Sequence, residues 1–153
     1  AVATRCYYVQ GCQASSSIKK LLRPTLQASR VLQEIYESPT YSSRNFTNVA
    51  WWQRQIGEGT NDGDANESTA VVDPYTLLAA QQQHQQEHSM DAAQQGGDAI
   101  MAYRLLQQSD LDVQHRRELE ASLKRYCELD TLAMAMIVQA WQGFLDEYDD
   151  DDE

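Results

Sequence analysis

Tyr126 and Asp130 stand four residues apart, so one helix presents a phenol and a carboxylate on the same side, a single turn from each other. Together such a pair can address one metal-bound water. Asp130 also interrupts a run of apolar side chains. Leu123, Cys127, Asp130, Met134, Ile137 and Trp141 recur at alternating four- and three-residue spacing, which makes a single stripe on a helix. An unpaired carboxylate buried in that stripe would be costly, so the site calls for a cation, strong donors or a metal. The same residues admit a structural reading. Asp130 precedes Thr131 and a strongly helical run, and as the N-cap of a separate last helix its oxygens would accept from backbone N–H groups. Tyr-x-x-x-Asp recurs at Tyr148 and Asp152, inside an acidic run where it carries no chemistry.

Helices must position this pair. Ser15-Ser16-Ser17 offers a capped start to Ile18-Lys19-Lys20-Leu21-Leu22, a short helix that Pro24 should end or kink. Leu26, Val31, Leu32, Ile35 and Tyr36 give a second helical pattern that runs to Ser38-Pro39. Phe46, Val49, Trp51 and Trp52 fit a short helix or a strand and read as packing residues. Asp73 and Pro74 sit as N-cap and first helical residue before Leu77-Leu78. Gly96-Gly97 interrupts a further helical stretch, after which Ala99, Ala102, Tyr103 and Leu106 supply a packing face. Ser109, Asp110 and Asp112 offer caps for a helix bearing Leu119, Leu123 and Tyr126. The last helix, with Leu132, Met136, Ile137, Ala140, Trp141, Phe144 and Leu145, is apolar over a wide arc and must be sandwiched. Strand signals are few, so the chain reads as mainly α.

Two stretches have the composition of loops or insertions. Gly57 to Ser68 is rich in Gly, Asn and Asp, and its Asp62 and Asp64 need no metal to explain them. Gln81 to His88 is low-complexity and polar, and its His84 and His88 lie one turn apart with no third ligand nearby.

At 153 residues the chain fits one domain, and its start at Ala-Val-Ala without Met leads us to expect a fragment or a processed product. No apolar run is long enough to span a bilayer, and Arg5 to Val9 is too short and polar-flanked for a signal peptide. The formal charge of −11 argues against holding nucleic acid by bulk attraction. Much of that charge lies in residues 146–153, DEYDDDDE, expected to form a disordered tail. Two basic groups, Lys19, Lys20, Arg23 and Arg30, then Arg116, Arg117, Lys124 and Arg125, could touch phosphates but read first as solvated helix faces. Cys6, Cys12 and Cys127 match no zinc spacing, and Cys127 reads as a small core residue. The expectation is a soluble, cytoplasmic protein.

Several stretches together resemble an uncharacterised, mostly bacterial family known as domain of unknown function 2779. Ser17-Ile18-Lys19-Lys20-Leu21-Leu22 is similar to its Ser-Ile-Lys-x-Val-Leu segment, and Leu32-Gln33-x-x-Tyr36-x-x-Pro39-x-Tyr41 follows in the same order. Asn45-Phe46, the Trp51-Trp52 region, Asp73-Pro74-Tyr75-x-Leu77-Leu78 and Gly96-Gly97-x-Ala99-x-x-Ala102-Tyr103 also fit. Arg125-Tyr126-Cys127-Glu128-Leu129-Asp130-Thr131-Leu132-Ala133-Met134 is the most specific match. The resemblance covers Ser15 to Glu147, with 57–70 and 79–94 as variable loop or insertion.

That family is similar to ribonuclease H-like exonucleases of the DEDD type, in which Tyr-x-x-x-Asp on a late helix completes a two-metal site. The resemblance therefore implies that residues 1–145 are the helical C-terminal part of an α/β ribonuclease H-like nuclease domain. Asp130 would bind Mg²⁺ or Mn²⁺, Tyr126 would orient the attacking water, and nucleic acid ends would be the substrate. Lys19 and Lys20 would lie near the substrate backbone without a catalytic role. The earlier acidic motifs of such enzymes have no counterpart in this sequence, and one carboxylate from four holds magnesium poorly. The chain alone should then be inert, its other ligands coming from an upstream segment of the same protein or another polypeptide. The alternative is a non-catalytic helical interaction module.

Overall fold

The computed structural model describes residues 17–54, 71–83 and 96–150. Among them are five helices: α1 (Ile18–Ala28), α2 (Arg30–Tyr36), α3 (Pro74–Gln83), α4 (Gly96–Leu106) and α5 (Val113–Asp150). The described residues are thus mainly α, and their one β feature is an isolated antiparallel bridge between Arg54 and Val71. Among them no helix is long and apolar enough to cross a membrane. The residues Cys6, Cys12, Asp62, Asp64, His84 and His88 lie outside the described segments.

Every other helix packs on α5, whose 38 residues span about 57 Å at 1.5 Å per residue. It is one helix where the sequence suggested two, because nothing between Val113 and Gln142 is Gly or Pro. Asp112 starts it as expected, accepting from the N–H groups of Gln114 and His115 at 2.9 and 3.2 Å. At the far end α5 runs into the acidic stretch as far as Asp150, so part of the expected tail is helical.

The buried side of α5 is rotated from the expected one. Leu119, Ser122, Tyr126, Leu129, Ala133, Met136, Ala140 and Gly143 face the core, while Cys127, Met134 and Trp141 are exposed. Cys127 is accordingly not a core residue. Both stripes share the same three-four spacing, and the packing distance decides between them. Ala133, Ala140 and Gly143 are small and admit close approach of neighbouring helices, which the Met134 and Trp141 side cannot.

Gly143 marks a close approach between α5 and α2. A Cβ there would lie 2.6 Å from Val31 Cγ2 and 3.3 Å from Val31 Cβ. Val31 is β-branched and stiff at χ1, so it has little room to yield. We expect Gly143→Ala to cost about 1–3 kcal/mol in overpacking, exceeding the gain of about 1 kcal/mol from replacing a helical glycine. Adding Val31→Ala should recover most of the loss in denaturant unfolding.

α1 continues past Pro24 to Ala28. Pro24 has no N–H for the preceding turn, a defect of about 3 kcal/mol, but Leu22 and Leu26 on either side are fully buried and together contribute about as much or more. The break comes instead at Ser29. Its N–H donates to the Thr25 carbonyl at 3.0 Å, and its hydroxyl accepts from Leu32 N–H at 3.2 Å, ending α1 and starting α2 together.

The chain after α2 is neither helix nor strand, yet it buries Phe46, Val49 and Trp51. Trp51 meets Phe46 edge to face with centroids 4.9 Å apart. Asn48 turns the chain with φ of 56°, a left-handed conformation that Asn tolerates. Trp52 ties the segment back by donating from Nε1 to the Leu26 carbonyl at 3.0 Å, and its own N–H donates to the Tyr36 carbonyl at 2.9 Å.

Candidate functional site

Asp130 lies well inside α5, so it caps nothing, and it is half-buried at the edge of the core face. Three helices bring side chains to it. Tyr75 enters from the first turn of α3, which Asp73 and Pro74 begin as the sequence predicts, with Tyr75 N–H donating to Asp73 Oδ1 at 2.9 Å. The Tyr75 hydroxyl donates to Asp130 Oδ1 at 2.6 Å. Tyr126, buried one turn before Asp130 on α5, hydrogen-bonds to the same carboxylate. From α1, Lys19 Nζ sits 4.7 Å from the ring centroids of both Tyr75 and Tyr126, a double cation–π arrangement.

The two phenols are held protonated. Burial pushes the Tyr126 hydroxyl up to about 12, reinforced by the Asp130 charge and hydrogen bond and more weakly by Cys127 and Asp98. Burial and then the bond to Asp130 push Tyr75 up still further. Near neutral pH both therefore donate to Asp130 or to a bound water, and neither acts as a base. The stability they contribute is full below the ordinary tyrosine value and is lost as the pH rises through the folded one.

One carboxylate between two donors fits a single metal ligand and does not amount to a metal site. Among the described residues no three His, Cys, Asp or Glu side chains gather as a metal would require. Asp73 and Asp98 act on Tyr75 and Tyr126 through their charge, without completing a cluster around Asp130.

The basic groups divide. Lys19 belongs to the Asp130 cluster, and Arg23 Nε donates to the Val71 carbonyl at 2.9 Å. The Arg116 guanidinium donates to the carbonyls of Leu106 and Gln108 at the end of α4, and Lys124 pairs with Glu120 at 2.7 Å on the surface. Arg116 is thus a helix-end clamp.

A second carboxylate on α5 has a structural task. Glu128 accepts from Tyr41 Oη at 2.6 Å, from Asn45 Nδ2 and from the Ser43 side chain, pinning the segment after α2 to α5. Burial opposes its ionisation, but these three donors outweigh burial and hold it below the ordinary value of 4.5. The folded state consequently releases the proton more readily than the unfolded chain. Its contribution is complete above pH 4.5 and disappears as the pH falls through the lower folded value. Glu128→Gln should therefore flatten the acid-side fall in melting temperature, which a pH series of thermal melts will read.

Spacing alone singles out Tyr126 and Asp130 but gives Tyr75 and Lys19 no role at the carboxylate. Their only signals are the Asp-Pro start that fixes Tyr75 in a first turn and the Ser-Ile-Lys segment that carries Lys19. Compared with protein-family models, curated proteins and solved structures, the chain matches none of them.

Proposed function

We propose that this chain is the helical C-terminal portion of a ribonuclease H-like, DEDD-type 3′–5′ exonuclease domain that hydrolyses phosphodiester bonds of DNA or RNA with Mg²⁺ or Mn²⁺. Asp130 is one of its metal ligands, and Tyr126 is the donor that orients water beside it. What supports this reading is convergence. Lys19, Tyr75, Tyr126 and Asp130 come from three separate stretches on which the family resemblance rests, and they meet around one half-buried carboxylate. A half-buried, hydrogen-bonded carboxylate far from any helix end has no capping role to explain it.

The remaining acidic ligands of such a site are not among the described residues, so the reading requires them from elsewhere in the protein or from a partner. This chain's own residues supply positioning. Tyr75 and Tyr126 hold the Asp130 carboxylate in orientation, and Lys19 packs against the two rings.

A second reading, a non-catalytic helical module, draws on the fact that Asp130 already has its donors and no described acidic neighbours complete a metal site. An end-labelled single-strand assay on the full-length polypeptide encoded in its source separates the two. Nuclease action predicts trimming from 3′ ends that stops on chelation and returns with Mg²⁺ or Mn²⁺. Intact DNA and RNA strands under all these conditions would favour the module.

A further inference from the structure

We propose that Lys19 is the resident cation of the Asp130 site, held there in the metal-free protein and giving way when a divalent ion binds the carboxylate. The inference rests on the reading of Asp130 as a metal ligand. Ammonium and carboxylate share the same two phenols. Lys19 Nζ lies 4.7 Å from the ring centroids of Tyr75 and Tyr126, and both hydroxyls bond to Asp130. A single pair of rings thus carries a cation against its faces and an anion at its hydroxyls. Two further carboxylates act on the rings through their charge, Asp73 on Tyr75 and Asp98 on Tyr126.

Lys19 is not favoured there by its own helix. It stands in the first turn of α1, which has no acidic residue, and a helix N-terminus carries partial positive charge. What keeps the ammonium in place lies across the helix interface, in the faces of two rings and the carboxylate they bind. Release asks little of the fold. Leu22 and Leu26, both fully buried, anchor α1, while the half-buried Lys19 can turn its flexible stem toward solvent, where the exposed Lys20 already lies. An ion on Asp130 and an ammonium on the same rings repel each other. A unit positive charge about 6 Å from a divalent ion weakens its binding by about tenfold even at the dielectric of water. The site therefore exchanges one cation for another.

Two measurements on the full-length polypeptide test this. In a Mn²⁺ titration read by the paramagnetic resonance of the free ion, Lys19→Gln should tighten binding about three- to tenfold, whereas loss of a lysine that only positions the rings would weaken it. Lys19→Arg keeps the charge and should bind no more tightly than the native protein. In brief amine acetylation read by mass spectrometry, Lys19 should be protected relative to Lys20 without metal and should gain reactivity when Mg²⁺ is added, with Lys20 unchanged. Binding that is unchanged or weaker in Lys19→Gln, or Lys19 reactivity indifferent to Mg²⁺, would overturn the inference alone, provided Asp130→Asn still weakens Mn²⁺ binding. If Asp130→Asn binds Mn²⁺ as the native protein does, the nuclease reading falls and this inference with it.

Discussion

Asp130→Asn should lower metal-dependent phosphodiester hydrolysis by the full-length polypeptide about a thousandfold or more, the scale set by losing one well-placed electrostatic group in an active site. That factor corresponds to roughly 4 kcal/mol of lost transition-state stabilisation. The fold should barely notice. Asn keeps an oxygen that accepts from the Tyr75 hydroxyl, so the 2.6 Å contact has a successor, and the half-buried negative charge disappears. Asp130→Ala differs, because it strands the Tyr75 donor and should cost about 1–3 kcal/mol. Thermal melts and initial rates on both variants distinguish a working carboxylate from a structural one. Native activity in Asp130→Asn would remove the residue from the chemistry.

Trp51→Ala should be among the most damaging single changes to stability, at about 3–5 kcal/mol. Trp51 is fully buried and meets Phe46 edge to face, in a segment that has no helix or strand of its own to hold it. Its indole N–H finds no acceptor among the described residues. The ring's value is therefore packing, and Trp51→Phe should cost much less because it removes an unpartnered polar group along with some area. Urea unfolding of the two variants gives the comparison, and near-equal losses would contradict it.

Much of the helical layout is legible in the sequence because its signals are local. Asp73-Pro74 and Asp112 start α3 and α5 where cap chemistry puts them, and the apolar spacing finds α1, α2 and the second half of α5. Other features answer to packing that spacing cannot see. Two stripes on α5 share one period, and only the close approach of Val31 to Gly143 shows why the small-residue side faces inward. Pro24 stays within a helix because buried leucines on both sides outweigh the local defect. Glu128 looks like any surface glutamate until Tyr41, Ser43 and Asn45 arrive from a segment with no regular structure. The candidate site divides along the same line. Tyr126 and Asp130 are a turn apart on one helix and can be found by counting, whereas the Tyr75 contact joins residues 55 apart in the chain and exists only once α3 packs on α5.

Manganese titration of the full-length polypeptide, followed by the paramagnetic resonance of the free ion, addresses the role of Asp130 most directly. Asp130→Asn should weaken Mn²⁺ binding by about tenfold or more, while Glu128→Gln on the same helix should bind it like the native protein. If Asp130→Asn takes up Mn²⁺ as the native protein does, Asp130 is no metal ligand and the exonuclease account fails.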